Sequence, residues 1–318
     1  MILNYHMLES AKIFKDKILV IAIDLGSNTF RVALVKKKQN GFSNEQIYEK
    51  IVGAARGLNE SGKIADESKN RLFEAISETK SKFDFDKFKC IAVATEAFRV
   101  ASNSEEIFSE IREKFGINFH IISGKAEAKL TFLGVQNAFK KLGINENFSV
   151  IDIGGASSEI GEDGNFMSFK FGIITFFEKF KTLDLMQENA KIYTKDAKEF
   201  LNSLRNRFIV LTSGVPTTIA ALRLGLNYEN YDPKKVSGFE LKNDDLAWFM
   251  DELLKMDDIS ADVAVGINRK YPLIAGTLLL EELLGEQEAK FLVIDDGLRE
   301  GVGVAYLQGK FQEIITNF

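Results

Sequence analysis

Two short segments of this 318-residue chain each join a carboxylate, a glycine turn and small polar side chains to the end of an apolar run. The first reads Ile23-Asp24-Leu25-Gly26-Ser27-Asn28, the second Ile151-Asp152-Ile153-Gly154-Gly155-Ala156-Ser157. A glycine turn after a strand lets backbone N–H groups approach an anion, and neighbouring hydroxyls add donors. One such turn is a weak signal; two of them, each opening its own half of the chain, point to a phosphate chain gripped from both sides of a cleft. Bare carboxylates repel phosphate, so Asp24 and Asp152 at these turns call for a cation between. Glu159 follows seven residues after Asp152 on the returning run, within reach of the same point. The two histidines, His6 and His120, lack ligand-like neighbours. An all-oxygen set favours Mg²⁺, with Mn²⁺ or Ca²⁺ as alternatives, over zinc.

The elements that must position these residues follow from hydropathy. Residues 18–24, 30–36 and 46–53 read as strands, with a turn at Gln39-Asn40-Gly41, and residues 66–83 as an amphipathic helix. A strand over 90–95, a helix over 104–114 and a strand over 119–122 complete an α/β order. The order then restarts. Strands are expected at 148–153, 158–160, 208–212 and 291–294, with helices near 186–206, over 216–222 and from Leu298. Between the halves, Ala128, Phe132, Val135 and Phe139 form a helical stripe expected to cross from one domain to the other. The chain thus reads as an internal duplication.

The two loops, extended to Asp24-Leu25-Gly26-Ser27-Asn28-Thr29-Phe30-Arg31 and Asp152-Ile153-Gly154-Gly155-Ala156-Ser157-Ser158-Glu159, resemble the phosphate-binding loops of the exopolyphosphatase and guanosine pentaphosphate phosphohydrolase (Ppx/GppA) family. Ala94-Thr95-Glu96-Ala97-Phe98-Arg99, Ile122-Ser123-Gly124-Lys125-Ala126-Glu127-Ala128 and Gly297-Leu298-Arg299-Glu300-Gly301 resemble three further family segments, in the family's order. The resemblance runs from about residue 18 to about 310 and implies an actin-like fold: two duplicated ribonuclease H-like domains with an interdomain cleft. Residues 1–124 with a C-terminal helix at about 299–318 would form one domain and residues 125–298 the other, in the short two-domain form.

The resemblance also implies roles. Glu127 would orient or deprotonate the attacking water, although a glutamate just after Ser123 also fits a first-turn capping place. Asp152 and Glu159 would surround the metal and the water, with Asp24 a weaker ligand acting through water. Ser27, Asn28, Gly154, Gly155 and Ser157 would donate to phosphate oxygens. Arg99 would lie near the phosphates, with a helix-end ion pair as its competing role, and Arg299 and Glu300 would hold the closing helix. Four places depart from the family pattern: Ala126 replaces a glutamate; Ala156 replaces a glycine and Ser158 a threonine in the second loop; Thr212-Ser213-Gly214-Val215-Pro216-Thr217-Thr218 matches a third glycine loop loosely; and Arg56-Gly57-Leu58-Asn59-Glu60-Ser61-Gly62-Lys63 resembles a family loop with its arginine displaced and is left unassigned. The implied substrate is inorganic polyphosphate or a guanosine polyphosphate, and a homodimer is an allowed assembly.

Composition sets outer bounds. The net charge of −5 argues against general nucleic-acid binding but allows a local basic cleft. No apolar run reaches the ~20 residues of a membrane span; Met1 to Lys17 is mixed and charged, unlike a secretion signal, and a cytoplasmic location is expected. Cys90 is the single cysteine, read as a buried, inert thiol. Two other readings use the same loops: an ATP-dependent kinase or ATPase of the actin-like superfamily, and a non-catalytic sensor of guanosine polyphosphates. The segment carrying Glu127 favours the hydrolase over the kinase, and the carboxylates Glu127, Asp152 and Glu159 argue against the sensor.

Overall fold

Strand β1 (Leu19–Leu25) is buried along nearly its whole length, as its unbroken apolar sequence requires. In the computed structural model, which describes residues 18–285 and 287–318, it forms the centre of a five-stranded sheet of order β3-β2-β1-β4-β5. β2 (Thr29–Lys38) returns antiparallel and places Arg31 opposite Asp24. The Asn-Gly turn leads to β3 (Gly41–Ile51), which begins earlier than its hydropathy suggested, because an edge strand pairs through its backbone with half its side chains in water. Helices α1 (Leu58–Ser61) and α2 (Asp66–Lys82) precede β4 (Lys89–Ala94), which runs parallel to β1. Helices α3 (Glu96–Val100) and α4 (Ser104–Phe115) lead to β5 (Phe119–Ile121), parallel to β4.

Helix α5 (Gly124–Leu142) belongs with this sheet. Its Ala126, Leu130 and Leu133 join Val20, Ala22, Val35 and Val93 in one core with Leu298, Val302 and Ala305 of α13 (Leu298–Leu307), and α14 (Phe311–Asn317) adds Phe311 and Ile314. The first compact unit therefore runs to Gly143 and resumes at Leu298, and the second spans Ile144–Gly297. The boundary falls after α5, where the sequence expectation put it before, at residue 124. The reason is steric fit: Gly301 brings α13 so close to α5 that an added Cβ would lie 1.7 Å from the Leu130 carbonyl oxygen.

The second unit contains β6 (Ser149–Ile153), β7 (Ser158–Glu162), β8 (Asn165–Phe169), α6 (Ile173–Phe180), α7 (Leu183–Ser203), β9 (Phe208–Thr212) and α8 (Gly214–Arg223). It continues through α9 (Pro233–Val236), β10 (Phe239–Leu241), α10 (Asn243–Lys255), α11 (Asp258–Val265), α12 (Lys270–Leu284) and β11 (Lys290–Val293). Its sheet, ordered β10-β11-β9-β6-β7-β8, repeats the first unit's order and strand directions from β8 to β11, with β10 added antiparallel at the edge. The duplication expected from the loops is thus a duplication of ribonuclease H-like topology, and the actin-like α/β class holds. Among the described residues, no helix is long and apolar enough to cross a membrane.

Replacing Gly301 by alanine should force α13 away from α5. Chemical denaturation is expected to show a loss of roughly 3 kcal/mol.

Candidate phosphate-binding loops and the buried carboxylate cluster

In the first unit the loop after β1 closes through the Gly26 amide, which donates to the Thr29 carbonyl at 2.9 Å. The carbonyls of this loop are taken by the segment after β3: Asn28 accepts from the Val52 and Gly53 amides at 2.9 and 2.8 Å, and Ser27 from the Ala55 amide at 2.7 Å. The Ser27 hydroxyl is buried and accepts from the Ala97 amide at 3.2 Å. The Asn28 Oδ1 atom is buried without a hydrogen-bond partner among the described residues. A carboxamide at this point can turn its oxygen or its amine toward a ligand.

Glu127 lies in the first turn of α5 and is 8% exposed. Ser123 caps that helix by accepting from the Ala126 amide, so the Glu127 side chain is left for another task. That task is set by Arg99, whose Nη1 donates to Glu127 Oε2 at 2.9 Å and to the Ile122 carbonyl at 2.7 Å. Its Nε donates to Glu96 Oε2 at 2.6 Å, and Nη2 is buried with no partner among the described residues. Burial alone would lower the pKa of this guanidinium, but Glu127 and Glu96 outweigh it and hold the pKa above its ordinary value. Arg99 is thus a half-buried bridge between two carboxylates, the helix-end pair with Glu96 being one arm of it and Glu127 the other. Of the sequence-derived site residues in this unit, the structure joins Arg99 with Glu127 and keeps Ser27 and Asn28 in one braced turn.

In the second unit the equivalent turn closes in the same way, with the Gly154 amide donating to the Ser157 carbonyl at 2.9 Å. A Cβ on Gly154 would lie 2.9 Å from that carbonyl, so glycine is required there. The Gly154 and Gly155 carbonyls accept from the Ile173, Ile174 and Thr175 amides at the start of α6. Gly172 permits the approach, since a side chain there would come within 2.6 Å of loop backbone atoms. Ala156 is not among the positive-φ residues, which explains why it can stand where the family pattern has glycine. The Ser158 hydroxyl is consumed internally, donating to the Phe171 carbonyl at 2.7 Å.

The duplicated loops stay in register at one offset, Asp24 with Asp152, Gly26 with Gly154, Thr29 with Ser157, Arg31 with Glu159. The last pair differs in charge. Asp24 has an arginine directly opposite on β2, whereas half-buried Asp152 has Glu159, which is 1% exposed, directly opposite on β7. Like charges facing each other across a ladder are destabilising, so the second unit carries the pair that suits a cation. The Ser168 hydroxyl donates to Glu159 Oε1 at 2.7 Å and fixes one of its oxygens. Among the described residues, no three or more His, Cys, Asp or Glu side chains gather as a metal site. Two carboxylates suit Mg²⁺, which characteristically takes one or two from the protein and the rest from water and phosphate.

Sequence reasoning did not single out three further residues. Glu96 was read only as part of a segment. Ser213, ahead of α8, has φ 81° and a buried hydroxyl with no partner among the described residues, a strained backbone that no residue pattern announces. Arg269 reaches the same loop, donating to Thr218 Oγ1 at 3.3 Å, from a stretch whose elements hydropathy did not resolve. Arg299 and Glu300 are buried and paired through Arg299 Nε at 2.6 Å, and Asn44 Nδ2 donates to Glu300 at 2.9 Å, which fits their anchoring role. Cys90 is half-buried, and burial pushes its thiol up to about 12, so it stays unreactive near neutral pH. Burial lowers the pKa of His120, whose ring packs edge-on against Phe311. His6 lies outside the described residues.

Two ribonuclease H-like units, each with a glycine turn held by backbone hydrogen bonds, define a protein of the actin-like fold. The family model of the Ppx/GppA phosphatase family matches residues 34–309, and the chain belongs to that family. It is 27% identical over 311 positions to the bifunctional 3-dehydroquinate synthase/phosphatase of Fusobacterium nucleatum, with 89% of this chain and 46% of that protein covered. It is also 27% identical over 296 positions to the guanosine-5'-triphosphate,3'-diphosphate pyrophosphatase of Pseudoalteromonas translucida, with 88% and 57% covered. The chain therefore spans about half the length of these curated relatives. Among solved structures, the Aquifex aeolicus PPX-GPPA enzyme aligns at TM-score 0.72 and 27% identity, with 90% of this chain and 98% of that one covered. An exopolyphosphatase from Cytophaga hutchinsonii shares the fold at TM-score 0.80 and 22% identity, with 92% and 98% covered.

Replacing Arg99 by methionine would remove the cation shared by buried Glu127 and half-buried Glu96. Equilibrium unfolding at neutral pH is expected to show a loss of about 3 kcal/mol, and acidification should shrink the difference from wild type as these carboxylates take up protons.

Proposed function

We propose that the chain is an exopolyphosphatase that releases the terminal phosphate of inorganic polyphosphate, with the 5'-terminal phosphate of guanosine pentaphosphate as a second substrate. Glu127 carries this reading: a buried carboxylate held by an arginine at a helix start can accept a hydrogen bond from water and aim it. Family membership and the phosphatase and pyrophosphatase names of the two curated relatives support the same chemistry. The water oxygen bonds to the terminal phosphorus while the bridging P–O bond breaks, its electron pair leaving with the shortened chain. Glu127 orients the water and receives its proton. Ser27 and Asn28 would donate to phosphate oxygens in one unit, and Gly155 and Ser157 in the other; the Gly154 amide, expected to donate as well, is spent on the Ser157 carbonyl. Asp152 and Glu159 would hold Mg²⁺, or Mn²⁺, which when bound neutralises charge on the phosphoryl oxygens. Asp24, faced by Arg31, is the weaker metal candidate.

A panel of polyphosphate, guanosine pentaphosphate and ATP, assayed for phosphate release with Mg²⁺ and with chelator, tests the substrate. Release is expected from the first two with Mg²⁺, and consumption of ATP alone would overturn the proposal. Glu127→Gln should lower kcat by about 10²–10⁴-fold with KM changed only a few-fold.

The metal assignment has its own test in thermal unfolding. With chelator present, Glu159→Gln should melt higher than wild type, by up to about 1 kcal/mol in stability, because the facing charges are relieved. Added Mg²⁺ should raise the melting temperature of wild type and not of the variant. Equal Mg²⁺ shifts in both would remove Glu159 from the metal site.

A further inference from the structure

Arg99 spends its donors unevenly. Nε goes to Glu96, Nη1 is shared by Glu127 and the Ile122 carbonyl, and Nη2 is buried without a partner among the described residues. The three charged side chains keep only 11–17% of their exposure, so the cluster is largely but not wholly withdrawn from solvent. Glu96 and Glu127 pull on different nitrogens of one planar guanidinium, which fixes the plane in two directions. Without Glu96 the plane could turn about the Nη1 contacts, and both the Glu127 carboxylate and the Nη2 donor would lose their bearing.

Electrostatics makes Glu96 costly. Arg99 is shared by Glu127 and Glu96, and the second carboxylate adds negative charge beside the guanidinium, which weakens its attraction for a polyanion. A carboxylate that adds negative charge here yet makes a 2.6 Å charge-assisted hydrogen bond to Arg99 needs another reason to be there. We propose that Glu96 is a positioning residue for hydrolysis: it holds Arg99 so that Nη1 locks Glu127 and Nη2 is kept for a phosphoryl oxygen. This rests on Glu127 being the water-orienting carboxylate.

The signature is a split between the kinetic constants. With polyphosphate and Mg²⁺, Glu96→Ala should lower kcat about tenfold while KM stays the same or falls, since misplacement weakens the transition state and the lost charge favours the polyanion. Glu96→Gln, which keeps an acceptor for Nε, should recover kcat to within about threefold of wild type. In a Glu127→Gln background, Glu96→Ala should cost no more than about twofold, because the two residues act through one arginine. A raised KM with unchanged kcat, or additive losses, would overturn the assignment. NMR of the Arg99 Nε–H supplies a readout independent of any substrate: slow exchange with water in the wild type, fast exchange in Glu96→Ala. An unchanged signal in that variant would sink the positioning role even if the enzyme turns over polyphosphate. Loss of the signal would uphold the role even if the substrate assignment failed.

Discussion

A turn that is to hold phosphate must send its carbonyl oxygens elsewhere, because a carbonyl facing an anion repels it. Both units of this chain meet that requirement, by different means. In the first, the carbonyls of Ser27 and Asn28 are taken up by the amides of Val52, Gly53 and Ala55. In the second, those of Gly154 and Gly155 satisfy the opening amides of α6. The second solution disposes of two problems at once, since the first amides of a helix also need acceptors. It explains why Gly172 has no room for a side chain and why α6 begins so close to the loop.

The duplicated halves have diverged in charge more than in backbone. The strand pair that carries the first aspartate faces it with Arg31, and the pair that carries the second faces it with Glu159. In one copy an arginine, itself paired with Glu49 at 3.2 Å, stands opposite the aspartate. The other has two carboxylates facing each other and suits a cation better. Charge is also concentrated around Arg99, where burial strengthens each contact and raises the cost of losing one. The result is a carboxylate, Glu127, whose position is set by neighbours rather than by its own helix.

Much of this was legible in the residues. Both strand–turn–strand corners, with Asp24 and Asp152 near their ends, could be read because unbroken apolar runs ending in a carboxylate and glycine have few other uses. Three features resisted reading for identifiable reasons. α12 is apolar on nearly every face, so it offers no helical stripe, and the stretch from 224 to 289 stayed unassigned. α5 has a clear stripe, but a stripe tells which side is buried and not which sheet it covers. Gly301, far along the chain, decided that. The link among Glu96, Arg99 and Glu127 depends on β4 and β5 lying side by side, a tertiary fact that local pattern cannot contain.

The return of α13 and α14 to the first unit has a consequence for synthesis. The core of that unit takes Leu298, Val302, Ala305, Phe311 and Ile314 from a segment that is translated after the whole of the second unit. The second unit, by contrast, is one uninterrupted stretch that is complete once Gly297 has emerged. The half translated second can therefore finish folding first, while the earlier half waits with its central sheet only partly covered. During that interval the apolar face formed by Val20, Ala22, Val35 and Val93 is the surface most in need of protection from other chains.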